Sequence, residues 1–203
     1  LINDCIAEGV WPDFLKAESV TPVPKIARPI SAKDLRKIAG LLNLNKIMEK
    51  IIVKYMVKDM KEKLDACQFA NQANQSINHY LVKLIDRVLS VLDGSTKGEH
   101  AAVIATLVDW SAAFDRQDPT LAIRSFQDNG VRSSFIPILM SFFEGRKMSV
   151  NWHGVRSSTK SLPGGGPQGS SLGLWSFLSQ TNDNPEDNSE ENMFKFVDDK
   201  TTL

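Results

Sequence analysis

The sequence has little cysteine, no long apolar run and no excess of either charge. Its two cysteines, Cys5 and Cys67, match neither a metal-ligand spacing nor a disulfide framework. No apolar run reaches the roughly 20 residues that span a membrane, and the opening residues LINDCIAEGVWPDF lack the basic start and apolar core of a signal peptide. We therefore expect a reduced, intracellular setting and no membrane partner. The chain also lacks an initiator Met, which suggests that it is cut from something longer.

The charges balance, with 24 basic and 24 acidic residues, but they are unevenly placed. Acidic side chains crowd into the stretch NDNPEDNSEEN, which is typical of a solvated loop: Asp183, Glu186, Asp187, Glu190 and Glu191. The remainder is mildly basic, with Lys and Arg dense between Lys25 and Lys63. This distribution permits a nucleic-acid partner without requiring one, because most charged faces are simply solvated.

Apolar periodicity predicts an α+β fold in which a small sheet packs against several helices. Helical spacing runs from Ile47 to Met60, with Asn43 or Asn45 as the cap, and again from Ile77 to Leu92, ending at Gly94. The later segments predict, in order, a helix from Asp118-Pro119 to Asn129-Gly130, a helix over SSFIPILMSFFEG, a hairpin around His153-Gly154 and a helix over SLGLWSFLSQ.

Two apolar stretches read as strands that end in carboxylates. AAVIATLVDW has strand length and no polar face except Thr106, so we expect a strand covered on both sides that ends at Asp109. A short final strand, FKFV, is followed at once by Asp198 and Asp199. If the two strands share one antiparallel sheet, the three carboxylates converge. They would repel one another unless a divalent metal neutralised them, and hard oxygen ligands suit magnesium.

The alternative is that these acids have ordinary structural roles. A single Asp after a strand is most often a turn residue or a helix cap, and an Asp-Asp pair is common in turns. Chemistry alone therefore leaves both interpretations open.

The context of the acids resembles a known family. VTPVPK, DLRKIAGLLNLNKIMEKII and QFANQANQSINHYLVKLID are followed by VDWSAAFD, GGGPQGSSLG and FVDD. This order resembles the polymerase domain of reverse transcriptases, specifically those of non-LTR (LINE-type) retrotransposons. In that family a hydrophobic strand ends in Asp and precedes Ala-Phe-Asp, a Pro-Gln-Gly loop and an aromatic-X-Asp-Asp turn. The resemblance covers almost the whole chain.

The resemblance implies a right-hand polymerase fold of the α+β class. Residues of about 1–100 would form the fingers side and about 101–203 the palm, with the thumb absent. The implied activity is RNA-directed DNA polymerisation: deoxynucleotides are added to the 3′-hydroxyl of a DNA primer on an RNA template, in the cytoplasm and nucleus if the element is active. Two Mg²⁺ ions, or Mn²⁺, about 4 Å apart would serve the phosphoryl transfer.

By the same resemblance, Asp109, Asp198 and Asp199 match the catalytic metal ligands, with Asp198 the essential member of the pair. Phe114 matches the aromatic gate beneath the incoming sugar, where a 2′-hydroxyl would collide. Phe114 also suits simple core packing, and the two roles are compatible.

Other matches concern the nucleotide. Gln168 and Gly169 match the loop beside the template–nucleotide pair, and its glycines would let the loop move and let its backbone approach a ligand closely. Lys25 and Arg36 match the fingers cations that neutralise the triphosphate. Arg28 is a rival, because the triplet RPI favoured by the family begins there. We prefer Arg36 because the residues after it keep the family spacing.

The chain departs from the family in places. Ala70, Ala73 and Asn74 replace a glycine and a basic residue usual before the first catalytic strand, which would loosen template contacts. We also expect neither the palm strand that follows the Asp-Asp turn nor a thumb. The alternatives are therefore a truncated, inactive remnant that at most binds nucleic acid, and an RNA-templated RNA polymerase, against which Phe114 argues.

Overall fold

The computed structural model describes residues 1–94, 102–110, 112–162, 164–182 and 192–203, which form two compact units. Unit 1 comprises Leu1–Glu62 and Phe114–Thr181, and unit 2 comprises Lys63–Ala113 and Asn182–Leu203. Each unit is therefore built from two separate segments of the chain. Assignment of fingers and palm to residues of about 1–100 and 101–203 stays a prediction. Most of the acidic stretch, and the turn expected after Gly94, lie outside the described residues.

Helices and strands are interspersed along the chain. The helices are α1 (Ile2–Glu8), α2 (Asn43–Met60), α3 (Ile77–Asp93), α4 (Pro119–Asp128), α5 (Ile136–Phe143) and α6 (Ser171–Gln180). The strands are β1 (Ala17–Pro24), β2 (Leu35–Gly40), β3 (Thr106–Asp109), β4 (Lys147–Trp152), β5 (Val155–Arg156), β6 (Lys160–Ser161), β7 (Met193–Phe196) and β8 (Asp199–Thr202). This mixture agrees with the α+β prediction. Among the described residues, no helix is both long enough and apolar enough to cross a membrane.

The helix predictions are confirmed, and local chemistry explains the helix ends. The Asp118 side chain accepts hydrogen bonds from the first free N–H groups of α4, and Pro119 occupies its first position. Ser76 caps α3 in the same way. The predicted cap of α2 is wrong, because Leu42 holds that position without a side-chain bond. Asn45 lies inside α2 and is buried.

Unit 1 contains a sheet in the order β2-β1-β4-β5, with β6 also on β4. β1 pairs antiparallel with β2 and parallel with β4. β1 contains two prolines, Pro22 and Pro24. Both prolines are tolerated because β4 pairs only with residues 17–20 of β1, so the prolines lie where β1 has one paired neighbour. The hairpin at His153-Gly154 is confirmed, with φ of 49° and 82°.

Unit 2 contains an antiparallel sheet in the order β3-β8-β7. Phe69, Tyr80 of α3 and Phe194 of β7 form its core. Two predictions are wrong here. β3 is exposed along its length rather than covered on both sides, because its main described contacts are with β8, beside it in the sheet, and not with an element packed on either face. In addition, a strand does follow the Asp-Asp turn: β8 lies between β3 and β7, so the two predicted strands share a sheet without being neighbours.

Candidate active site

The sheet of unit 2 brings two of the predicted metal ligands face to face. Asp109 is the last residue of β3, Asp199 is the first of β8, and the two are direct cross-strand partners. Side chains in such positions lie on one face of the sheet, with Cβ atoms about 4.5–5.5 Å apart. Asp198 precedes Asp199 in the turn between β7 and β8. The register therefore gathers the three carboxylates at one end of the sheet.

The electrostatics of these carboxylates follow from that placement. Although Asp199 is exposed as a residue, partial desolvation raises the pKa of its carboxyl, and the charges of Asp198 and then Asp109 raise it further. Asp199 therefore interacts with both other acids, and a bound cation would relieve the repulsion. The three carboxylates suit a divalent cation because they offer hard oxygen ligands and because the register of β3 with β8 brings them together. They are not preformed as a ligand set, since no group of three or more ligating side chains in the described part of the chain is already arranged to hold a metal ion.

The turn that carries Asp198 is strained. Phe196 of β7 pairs with Asp199 of β8, which leaves Val197 and Asp198 as a two-residue connection. Val197 has φ of 58°, in the left-handed region that a β-branched side chain rarely occupies. Such strain persists only where surrounding contacts hold it, and it is concentrated at functional sites.

Contacts from residues 65–70 support this turn and were missed by the sequence analysis. Lys195 of β7 forms a buried ion pair with Asp65 at 2.7 Å. The main chain of Lys195 also bonds to Cys67 and Phe69, so the segment lies parallel to β7. Gln68 Oε1 accepts a hydrogen bond from the N–H of Val197 at 3.1 Å. The available signal was Lys195 itself, a charged residue between Phe194 and Phe196 in a short apolar strand.

The predicted triphosphate cations lie on the β1–β2 hairpin of unit 1. Arg36 of β2 is exposed and pairs in register with Val23 of β1. Lys25 follows β1, continues the ladder by donating its N–H to the carbonyl of Asp34, and is exposed. Arg28 is an exposed residue of the segment that connects the two strands. The structure thus presents all three cations on one hairpin and leaves the choice between Arg28 and Arg36 open.

Phe114 is half-buried at the start of the second part of unit 1. Its ring lies 5.6 Å from that of Phe177 in α6, and its carbonyl accepts a hydrogen bond from the N–H of Gly166 at 2.9 Å. One side of the ring thus packs against the protein, which the core-packing interpretation requires. The ring is incompletely covered, so the gate interpretation stays open.

The glycine run before Pro167 packs against the chain itself. Gly165 has φ of 86° and donates its N–H to the carbonyl of Gln117 at 3.0 Å. A Cβ on Gly166 would lie 2.5 Å from Gln117 Oε1. Gln117 is buried and bonds to Gly173 and Ser176 of α6. Close approach to residues 114–117 thus gives Gly165 and Gly166 a role within the chain. Both also line a cavity of unit 1, so their approach to a ligand stays a prediction.

Gln168 joins this loop to the sheet. Its carbonyl accepts a hydrogen bond from the N–H of Ala39 in β2 at 3.0 Å, and its side chain lies 3.5 Å from Asp115, which forms an ion pair with Lys37. Gly169 follows with φ of 102°, a conformation that requires glycine. A cavity of about 370 Å³ in unit 1 is lined by Lys37, Asp115 and Gln168, among others.

Glu49 of α2 holds the other end of the same loop. Its buried carboxylate accepts hydrogen bonds from Ser170 Oγ at 2.8 Å and from the N–H of Leu172 at 3.2 Å, so it caps α6. Asn45 donates to the same carboxylate and accepts from the indole N–H of Trp11. Burial raises the pKa of Glu49, against the lowering effect of these hydrogen bonds. Sequence analysis missed this role, although Asn45 and Glu49 lie among apolar residues on the buried stripe of α2.

Comparison with known proteins gives two curated relatives. No protein-family model matches the chain. It is 27% identical over 192 residues to the "RNA-directed DNA polymerase from mobile element jockey" of Drosophila funebris, covering 93% of this chain and 20% of that protein. It is 26% identical over 181 residues to the protein of the same description from Drosophila melanogaster, covering 85% and 19%. The chain spans about a fifth of the length of these curated relatives. The resemblance that the motifs indicated is confirmed.

Proposed function

Because this chain is a relative of the RNA-directed DNA polymerases of LINE-type retrotransposons, we propose that it carries the catalytic carboxylates of such a polymerase. The reaction adds deoxynucleotides to the 3′-hydroxyl of a DNA primer, directed by an RNA template. The two units would belong to the fingers and palm of a right-hand polymerase fold. The names of the relatives support the class of reaction, and the arrangement of the carboxylates in unit 2 supports the choice of residues.

The observation that carries the proposal is the register of β3 with β8. It sets Asp109 opposite Asp199, with Asp198 in the adjoining turn. These three residues would hold two Mg²⁺ or Mn²⁺ ions. When bound, such ions lower the pKa of an attacking hydroxyl and stabilise the charge of an in-line phosphoryl transfer.

Residues of unit 1 would bind and orient the nucleotide. Lys25 and Arg36 would neutralise the triphosphate, since both are exposed cations on the β1–β2 hairpin. Phe114 would contact the sugar with the half of its ring that Phe177 leaves free, and thereby exclude a 2′-hydroxyl. Gln168 and Gly169 would lie beside the template–nucleotide pair, on a loop that Glu49 and Ala39 hold in place.

The first test measures Mn²⁺ binding by calorimetry in the presence of a deoxynucleoside triphosphate. We expect binding by the wild type and by Asp86→Asn, a control that removes an exposed acid of α3 in the same unit. Asp109→Asn and Asp198→Asn should each weaken the affinity by more than about tenfold, since loss even of indirect support costs 10–100-fold at metal sites. Equal affinity in all four proteins would contradict the assignment.

A second candidate function is a catalytically inactive remnant that binds nucleic acid. Primer extension on an RNA template separates the two functions. Mg²⁺-dependent extension that Asp198→Asn abolishes supports the polymerase, whereas template binding without extension supports the remnant.

A further inference from the structure

The strained turn of unit 2 has a specific side-chain partner outside its own hairpin. Gln68 is buried, and its Oε1 accepts hydrogen bonds from the N–H of Val197 at 3.1 Å and of Ala70 at 3.0 Å. One carbonyl oxygen thus bonds to the turn and to the segment that precedes α3. Val197 is the residue with φ of 58°, directly before Asp198.

The position of Gln68 is fixed independently of that bond. The main chain on either side of it is tied to β7, because Phe69 donates its N–H to the carbonyl of Lys195 at 2.9 Å and Lys195 donates to Cys67 at 2.8 Å. The buried ion pair between Asp65 and Lys195 adds a second attachment. Gln68 therefore contacts the turn from a segment that is itself bonded to β7, and a precisely placed site requires such support.

We propose that Gln68 is a positioning residue: it holds the turn in its left-handed conformation and thereby places the Asp198 carboxylate. Without an acceptor for its N–H, Val197 would lose a contact that stabilises a conformation disfavoured by its β-branched side chain. The turn would relax, and Asp198 would move with it. The predicted effect on metal binding rests on the proposed function, whereas the predicted effect on the conformation of the turn does not.

Two substitutions test whether the carbonyl oxygen of Gln68, rather than the size and shape of its side chain, holds the turn. Gln68→Met keeps the length and volume but removes the carbonyl oxygen. Gln68→Glu keeps an acceptor in the same place, because both bonds that Gln68 accepts come from N–H groups. Gln75→Met is the control, since Gln75 is an exposed residue of the same segment.

The first readout is amide hydrogen exchange by NMR in the whole chain. In Gln68→Met the Val197 amide should exchange about tenfold faster, the size of effect that one hydrogen bond typically has. The Phe69 and Lys195 amides, whose partners are main-chain carbonyls, should be unchanged, which shows that the segment stays folded. Gln68→Glu and Gln75→Met should match the wild type. Unchanged Val197 exchange in Gln68→Met overturns the proposal.

The second readout is Mn²⁺ affinity with a deoxynucleoside triphosphate. Gln68→Met should weaken the Mn²⁺ affinity by about tenfold or more, and Gln68→Glu should keep the affinity of the wild type. If Asp198→Asn weakens binding but Gln68→Met does not, the positioning role is overturned while the proposed function stands. If the wild type binds no Mn²⁺, the proposed function fails, and Val197 exchange alone decides whether Gln68 holds the turn. If Gln68→Met unfolds unit 2, the test rests on Gln68→Glu. Val197 amide exchange and Mn²⁺ affinity equal to those of the wild type support the proposal, and loss of both overturns it.

Discussion

Several ionisable side chains of unit 1 are buried, and their protonation is set by burial more than by their partners. Glu18 and Arg146 form a pair at 3.3 Å, and both are almost fully buried. Burial nevertheless raises the pKa of Glu18, although Arg146 opposes that shift, and burial lowers the pKa of Arg146. Desolvation of this pair thus outweighs its attraction, as is usual for buried ion pairs. The pair joins β1, which contains Glu18, to Arg146, the residue directly before β4.

Glu49 gives the clearest pH prediction. Its pKa in the folded state is raised above the ordinary value of 4.5, so the folded state binds this proton more tightly than the unfolded state. The stabilisation is fully present below pH 4.5 and is lost as the pH rises through the raised pKa. Glu49→Gln keeps an acceptor for α6 but removes this titration.

The test for Glu49 is denaturant unfolding of wild type and Glu49→Gln over a pH series. The wild type should lose stability relative to the variant as the pH rises from about 4.5 to neutrality. A difference in the free energy of unfolding that is constant over this range, or that changes in the opposite direction, would contradict the raised pKa.

At the scale of elements, the loop of residues 164–170 is a rigid connection. Gly165 and Gly166 approach residues 114–117, Gln168 bonds to β2, and Glu49 caps the helix that follows. The loop therefore links the half-buried Phe114 to α6 and to the sheet. Its glycines allow close packing of two backbones, a role that differs from the mobility usually read from a glycine run.

Two alanine substitutions in this loop should differ in their effect. Gly166→Ala places a Cβ 2.5 Å from Gln117 Oε1 and 3.3 Å from the main chain of Gly173, so it should cost about 1–3 kcal/mol in the free energy of unfolding. Gly164→Ala is the matched control, because its Cβ would meet neighbours at 3.6 Å and beyond, and it should change stability by about 0.5 kcal/mol at most. Thermal unfolding measures both, and equal effects would contradict the packing argument.

At the scale of the whole molecule, the residues that the structure describes form cores of different size in the two units. Unit 1 buries large apolar side chains completely on α2 and α5, including Ile52, Met56 and Phe142. The core of unit 2 consists of Phe69, Tyr80 and Phe194, with partly buried residues around them. Because the cost of opening a region follows the apolar area that it buries, unit 1 should open less often than unit 2.

Hydrogen exchange followed by mass spectrometry tests this difference. Peptides from α2 and α5 should exchange more slowly than peptides from β7 and β8. Protection of β7 and β8 that equals or exceeds that of α2 would contradict the prediction. Saturating Mn²⁺ with a deoxynucleoside triphosphate should slow exchange in β7 and β8, because a ligand that binds the folded state stabilises it.

The sequence by itself determined helices α2 to α6 and the His153-Gly154 turn, and it indicated the three carboxylates as a candidate site. Helices α2 to α6 carry local signals, namely a 3.6-residue apolar period and, for α3 and α4, caps such as Ser76 and Asp118. The order of the motifs was also sufficient to indicate the reverse transcriptases, because it needs no knowledge of contacts.

Only the tertiary structure decided how the carboxylates meet and what supports them. The residues of β8, DKTT, have no apolar alternation, so nothing local marks them as the central strand that sets Asp199 opposite Asp109. The sequence did not reveal β1, because its prolines are acceptable only in the stretch of β1 that pairs with β2 and not with β4. The bonds of Gln68 to Val197 and of Glu49 to α6 join residues more than 100 positions apart. Such pairings depend on the folded chain, because no local period or propensity in the sequence encodes them.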